Sequence, residues 1–239
     1  MVRTVGLSLY YQTVQYIRIK EAFFFVLVFP IFLFVVFSNL WGALTADYIP
    51  RLLTGVIAMS VASDGLFSIG YIAKSSIGTG LIKILNKRPE KVLAHYGGIA
   101  LSHIFMLTLV SLVLHVVAFI FFNIEITLSG LLYTELGIIA GITLFAMMGL
   151  VITFIDPRPE AGRGWPNFVQ FTLLFSSEAF YSVEALNETL FQFANLLPFN
   201  HILYLMRGED PNWWILAGWM GASTAAFFIL FNRFQVKRA

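Results

Sequence analysis

A polar stripe runs through the second long apolar segment of the chain. Ser60, Asp64 and Ser68 recur at every fourth position there, and residues four apart lie on the same face of a helix. A carboxylate inside a membrane span is costly and usually faces a bundle interior or a water-filled cavity. We therefore predict that Asp64, near the bilayer midplane, lines a substrate path or binds a proton or cation. The alternative is that Asp64 is protonated, or hydrogen-bonded to nearby serines, and only joins helices.

Six long apolar runs must position this stripe. A helix rises about 1.5 Å per residue, so roughly 20 residues cross the hydrocarbon core. Lipid offers no hydrogen bonds to bare backbone, so such runs must be helical. We predict an all-α integral membrane protein whose six transmembrane helices form a single domain over residues 1–239. The predicted spans are 23–44, 52–73, 96–122, 131–155, 168–186 and 213–231.

The composition and the placement of charge agree with this architecture. Hydrophobic residues make up 59% of the chain and charged residues only 12%, against about a quarter in soluble domains. All but two of the 15 Lys and Arg residues fall on one side of the six runs, the exceptions being Arg51 and Arg207. Cytoplasmic loops are enriched in Lys and Arg in this way. We therefore place both termini in the cytoplasm and expect no nucleic-acid partner.

Two segments outside the spans are predicted to lie at the membrane boundary. Residues 1–22 approximate one apolar helical face and carry several tyrosines suited to the headgroup level, which indicates an amphipathic helix in the cytoplasmic interface. Residues 187–212 contain an apolar stretch too short to cross. Because irregular backbone is tolerated in lipid only where protein or water covers it, we predict an outer re-entrant helical pair here, before the last span.

The cytoplasmic segment 74–95 has the richest pattern outside the spans. Ile77, Leu81 and Leu85 are spaced by four, so they share one face of a short helix. Pro89 ends this helix, because proline lacks the donor N–H. The basic residues off the stripe are Lys83, Lys87 and Arg88. Such a helix can lie on the lipid or seat its apolar stripe in a groove of a partner, and the pattern alone leaves both open.

Motifs for catalysis or nucleotide binding are missing from the sequence. It contains no G-x-x-x-x-G-K-[ST], no H-E-x-x-H and no G-x-S-x-G, the patterns of P-loops, zinc proteases and serine hydrolases. It also contains no cysteine. We therefore predict no enzymatic activity and no cofactor or metal bound by this chain.

The features together resemble the type-2 ABC exporter permeases, the membrane subunits whose ATPase is a separate chain. An amphipathic segment leads into a first span that contains Pro30, and the spacing of Gly80, Leu85 and Pro89 matches a cytoplasmic motif of that family. A second family motif joins an aromatic turn to a later proline and arginine around the outer re-entrant pair. Its matching positions are Ala179, Phe180, Tyr181, Glu184, Leu186, Pro198 and Arg207.

The resemblance implies an assembly in the lipid bilayer of a plasma (inner) membrane, in a prokaryote. Two permease copies, or one copy and a homologous permease, would pair above two copies of an ABC ATPase subunit that bind ATP and Mg. Residues 78–88 would be the coupling helix. The residues implied in ATPase coupling are Ile77, Gly80, Leu81, Lys83, Leu85, Arg88 and Pro89. Those implied in lining the path between the permeases are Ser60, Asp64, Ser68, Phe171, Phe175 and Glu178.

Two other functions are compatible with the same pattern of spans. One is an ion-coupled secondary transporter or channel that uses Asp64, although many such carriers show internal inverted repeats. The other is an intramembrane enzyme acting on lipid, which would need a pair of catalytic groups brought together by the fold. The nature of the cargo stays open among drugs, peptides, lipids and lipid-linked glycans.

Overall fold

Every regular element in the part of the chain described by the computed structural model, residues 2–43, 45–72, 75, 89–155 and 164–236, is a helix. The helices are α1 Val2–Arg18, α2 Lys20–Phe23, α3 Phe29–Trp41, α4 Tyr48–Asp64, α5 Pro89–Phe122, α6 Leu128–Ile155, α7 Gly164–Phe175, α8 Val183–Leu186, α9 Glu188–Ala194, α10 Pro198–Arg207 and α11 Trp213–Val236. A π-helical turn, Phe24–Val28, joins α2 to α3, and a second, Gly65–Ile69, extends α4.

Five helices in this part of the chain are long and apolar enough to cross a membrane. They are Phe24–Trp41, Tyr48–Ile72, Ala94–Phe122, Leu128–Ile155 and Trp213–Arg233. Each overlaps one of the predicted spans, so the prediction of an α-helical, multi-pass membrane protein is confirmed. Large apolar side chains such as Phe121 and Trp214 are exposed on these helices, as a surface in contact with lipid tails requires.

The predicted span 168–186 differs from the other five. Its helix, α7, ends at Phe175, and the chain then turns before the single helical turn of α8. Ser176 donates to the carbonyl of Thr172 at 2.5 Å, and Ser177 donates to that of Leu174 at 2.8 Å. Hydroxyls that bond preceding carbonyls compete with the helical ladder. The helix of this span therefore ends at Phe175 and not at residue 186, and a crossing by α7 stays a prediction.

Helix α4 forms the centre of the bundle, where it packs against α3, α5, α6 and α10. Its residues 52–62 are all buried. At Gly55 the backbone of α4 touches the turn after α7 so closely that an added Cβ would lie 1.9 Å from the carbonyl oxygen of Ala179. At Gly65 an added Cβ would lie 2.6 Å from Phe145 Cβ on α6. These contacts hold α4 closely against α6 and against the turn after α7.

Helix α1 packs lengthwise on the first turns of α5. Ser8 Oγ lies 2.9 Å from His95 Nδ1, and an added Cβ at Gly98 would lie 2.6 Å from the carbonyl oxygen of Val5. The opposite side of α1 exposes apolar and aromatic side chains. They are Leu7, Tyr10, Tyr11 and Ile17. One face of α1 is thus fixed to a membrane span, and the other is available to the interface that the sequence predicts for it.

Helices α9 and α10 form a pair within the predicted re-entrant segment 187–212. Most side chains of α10 are buried, so protein covers the helix as backbone at membrane depth requires. The helix begins at Pro198 and ends before Gly208, whose φ of 72° is a left-handed conformation that glycine adopts readily. The depth of this pair in the bilayer stays a prediction.

Candidate functional site

A large groove opens on one side of the bundle. It has a volume of about 1120 Å³, and its walls are formed by α2 and α3, by α4, and by α7 with the turn that follows it. Five of the residues proposed for the path line this one cavity. They are Ser60, Asp64, Ser68, Phe171 and Phe175. The polar stripe of α4 and the phenylalanines of α7 therefore face the same space.

At one end of the groove, three buried side chains from three helices meet, and we call them the Tyr16 junction. The Tyr16 hydroxyl donates to Asp64 Oδ1 at 2.9 Å, and His103 Nδ1 lies 2.5 Å from Asp64 Oδ2. The Tyr16 oxygen also lies 2.5 Å from His103 Nδ1. Since the phenol proton is directed at Asp64, His103 Nδ1–H is the second donor to the carboxylate. Asp64 thus joins α4 to α1 and α5 instead of to neighbouring serines alone.

Tyr16 lies on α1, outside the crossing helices, and its phenol stays protonated. Burial raises its pKa well above the usual value, and the neighbouring Asp64 carboxylate adds to that increase. A protonated phenol has one proton to donate, and here it is donated to Asp64 Oδ1.

The length of α5 gives the position of the Tyr16 junction along that helix. His103 lies 19 residues before the end of α5 at Phe122, which is about 29 Å along an upright helix. A hydrocarbon core is about 30 Å thick. We call the end of the bundle at α1 the inner end, and the junction lies nearer to that end of α5 than to the end at Phe122. The position of Asp64 near the midplane stays a prediction.

Three other polar side chains of the groove, those of Ser60, Ser63 and Gln170, are bonded within or between its walls. Ser60 donates to the carbonyl of Val56 in its own helix at 3.0 Å. The Gln170 amide donates to Ser63 Oγ and so joins α7 to α4. Among the described residues, no group of three or more His, Asp and Glu side chains is placed to hold a metal ion. The arrangement can hold polar parts of a ligand along a mostly apolar surface.

Glu178, the sixth residue proposed for the path, lies outside the groove. Its Oε2 lies 3.8 Å from Arg207 Nη1, and both side chains are 6% exposed. Its carbonyl accepts from Arg207 Nη2 at 2.8 Å, and its N–H donates to Asn200 Oδ1 at 3.0 Å. Arg207 Nε also donates to Thr54 Oγ1 at 3.1 Å. Glu178 therefore belongs to a cluster that fixes the turn after α7 to α10 and α4.

Tyr204 of α10 lies near this outer cluster. Burial raises the pKa of its phenol to about 12, and the Glu178 charge contributes. The protonated hydroxyl donates to Asn195 Oδ1 at 3.0 Å, which closes the turn between α9 and α10.

Sequence reasoning left Tyr16 and His103 out of the candidate site. His103 bonds Asp64 on another helix, whereas His115 bonds the carbonyl of Ser111 in its own helix. One signal was present: Ser8 and Tyr16 are eight apart on α1, as are their partners His95 and His103 on α5. Two helices that run side by side with equal rise meet at both positions.

The residues proposed for ATPase coupling fall almost wholly outside the described part of the chain. Of that set, only Pro89 is described, as the first residue of α5. Proline is well tolerated at this position, because the first N–H of a helix has no partner. The coupling residues outside the described part are Ile77, Gly80, Leu81, Lys83, Leu85 and Arg88.

Comparison with known protein families gives a match over most of the chain. The sequence model of the family described as "ABC-2 type transporter" matches residues 4–209 of the chain. This range contains the Tyr16 junction, every wall of the groove and all of α10. No curated protein matches the chain.

Proposed function

The chain belongs to the ABC-2 type transporter family, and on this premise we propose how the permease subunit of such an ABC transporter works here. Two copies, or one copy and a homologous permease, pair in the membrane above two copies of a separate ABC ATPase. The ATPase binds ATP and Mg, and its motions open a path that carries cargo out of the cell. This chain is the gate and does not itself hydrolyse ATP.

The groove is the observation that carries this proposal. It is open on one side of a single chain and contains the polar stripe of α4 opposite Phe171 and Phe175. In an assembly with two-fold symmetry, the same surface of each copy faces the axis. Pairing through this side would close two grooves into one path between the permeases. Glu178 takes no part in it, because its contacts are with Arg207.

The cytoplasmic segment 74–95 supplies the proposed contact with the ATPase. Its stripe of Ile77, Leu81 and Leu85 would seat in the ATPase, and Pro89 would pass the motion to α5. Helix α1 packs on α5, and the Tyr16 junction lies at the groove. A displacement of this segment would therefore be transmitted through α5 and α1 to the cargo path.

A cross-linking experiment tests the proposal. A photoreactive amino acid at Leu81 should capture a nucleotide-binding protein in native membranes. The same group at Leu186, which is 71% exposed and lies on the side predicted to be outer, should not. Capture of no ATPase, or equal capture from both positions, would contradict the proposed coupling.

One observation favours a second function, an ion-coupled transporter or channel. Asp64 is buried, bonded to a histidine and adjacent to the groove, and buried acids of this kind can serve as proton or cation sites. This function requires flux that follows an ion gradient without ATP and that is abolished by Asp64→Asn. The ABC permease requires flux that stops when the ATPase is inactivated.

A further inference from the structure

The charged residues that line the groove, within the described part of the chain, are both acidic. Glu21 lies on α2 and Asp64 on α4, at the inner end of the cavity. The amides of Asn167 and Gln170 also line the groove, and that of Gln170 bonds Ser63, beside Asp64. Asp64 is shielded by its two donors, whereas Glu21 is exposed. A cleft lined by one sign of charge concentrates ligands of the opposite sign, so this end attracts cations and repels phosphates and carboxylates.

Aromatic rings cover both walls beyond the acidic end. One wall is lined by Phe25, which lies in the π-helical turn before α3, and by Phe29 and Phe37 of α3. Phe171 and Phe175 line the facing wall, where their rings stack with centroids 6.0 Å apart. The faces of aromatic rings attract cations as well as apolar groups. The rings and the carboxylates thus favour the same class of ligand.

The size of the groove favours an organic cation over an inorganic one. Pockets for drug-sized molecules are about 300–1,000 Å³, and this cavity is about 1120 Å³. A bare metal ion would need several oxygen ligands within a few ångströms, and the described residues offer no such cluster.

We propose that the groove binds amphipathic organic cations, with the charged head near Glu21 and Asp64 and the apolar body among the aromatic rings. This inference rests on the proposed function, because it makes the groove the cargo path and names the class of cargo. Acidic cargo, such as a lipid-linked pyrophosphate, would meet two carboxylates at the inner end and is disfavoured.

A pair of ions of the same shape and opposite charge tests the proposal. The purified full chain in nanodiscs of zwitterionic lipid is dialysed against tetraphenylphosphonium or tetraphenylborate, with empty nanodiscs to correct for partition into lipid. We expect saturable binding of the cation and no excess binding of the anion. Equal or stronger binding of tetraphenylborate would overturn the proposal. So would binding of neither ion, as expected if a second copy of the chain fills the groove.

Three variants locate the binding. Glu21→Gln should weaken tetraphenylphosphonium binding about threefold to tenfold, the effect of losing one carboxylate beside a cation. Glu184→Gln removes an exposed carboxylate on α8 that does not line the groove, and should leave the affinity unchanged. Equal effects of the two variants would show a nonspecific surface charge and reject the site. Phe171→Ala should also weaken binding, without any change in charge.

The outcome of the dialysis experiment is independent of the cross-linking experiment that tests the proposed function. Dialysis uses neither ATP nor an ATPase, so a failure to bind the cation rejects the cargo class and leaves the coupling intact. A failure to capture an ATPase at Leu81 rejects the coupling and leaves cation binding to stand or fall on its own data.

Discussion

At the scale of single residues, the Tyr16 junction sets how the N-terminal helix is tied to the groove. One carboxylate, on Asp64, receives donors from α1 and α5. Tyr16 is 9% exposed, Asp64 8% and His103 0%, so solvent cannot replace a lost partner readily. A buried polar group without its partner costs the full penalty of desolvation. The junction therefore holds three helices in a single arrangement, and each of its members is sensitive to substitution.

Tyr16→Phe removes one hydroxyl from the junction and keeps the ring. Because Asp64 loses a buried donor, we expect the free energy of unfolding to fall by about 1–3 kcal/mol. Thermal denaturation of the purified chain in detergent measures the change. Tyr10→Phe is the matched control, since Tyr10 lies on the same helix and is 60% exposed. Equal melting temperatures of the two variants would show that the Tyr16 hydroxyl does not stabilise the fold.

Arg207 has the corresponding role in the outer cluster. Its guanidinium donates to Thr54 Oγ1 and to the carbonyls of Arg51 and Glu178, and so joins α10 to α4 and to the turn after α7. The planar guanidinium reaches all three acceptors at once, whereas a lysine ammonium is a point charge on a flexible stem. A positive charge alone is therefore insufficient at position 207 to join α10 to α4 and to the turn after α7.

Arg207→Lys keeps the charge and loses most of these hydrogen bonds. We expect a loss of about 1.5–3 kcal/mol in stability, the range for hydrogen bonds to charged groups. Arg51→Lys is the control, because Arg51 takes part through its main-chain carbonyl and its side chain is exposed. Chemical denaturation in detergent compares the two. A larger loss for Arg51→Lys would contradict the role assigned to Arg207.

At the scale of helices, run length and hydropathy were enough to predict most of the architecture. A run such as 131–155 must be helical in lipid, and α6 covers it. The end of α7 was harder, because the turn at Ser176 depends on hydroxyls that cap carbonyls locally. The Tyr16 junction was beyond such reasoning, since it depends on the register between α1 and α5, whose paired residues are 87 apart in sequence. Register is a property of packing that hydropathy does not encode.

The contact of α4 with the turn after α7 gives a prediction at this scale. Gly55→Ala would place a Cβ 1.9 Å from the carbonyl oxygen of Ala179, so the turn must move away from α4. Overpacking of this kind costs about 1–3 kcal/mol. In α11, Gly218 has nothing within 4 Å of an added Cβ. Gly218→Ala should be neutral or slightly stabilising, because alanine favours helix.

Each alanine variant adds one methyl group to the native chain, so their comparison isolates the effect of packing on stability. Melting temperature reports stability, and tetraphenylphosphonium binding reports the shape of the groove, since the turn after α7 forms part of its wall. We expect Gly55→Ala to change both. A Gly55→Ala protein as stable as Gly218→Ala would mean that α4 and the turn are not in close contact.

At the scale of the whole molecule, the exposed apolar surface is of two kinds, one on the outer helices and one at the rim of the groove. The side chains of α5 and α11 form convex surface that lipid tails can cover. Phe171 of α7 is also 55% exposed, but it lines the rim of a concave groove whose inner end is polar and acidic. Lipid tails cannot satisfy polar groups, so this side of the bundle is better covered by cargo or by a second permease. The mechanical route that we propose from the cytoplasmic segment would end on the same side.

A single cysteine tests the proposed pairing, because the chain has no cysteine of its own. Residues near a two-fold axis approach their own copies. Phe171→Cys should therefore form a disulfide on mild oxidation in native membranes, seen on a non-reducing gel as a species of twice the 26.9 kDa chain mass. Phe121→Cys is the control, since Phe121 is 70% exposed on α5 and does not line the groove. A Phe121 cross-link without a Phe171 cross-link would place the contact between copies on another face, and the path could not form from two grooves.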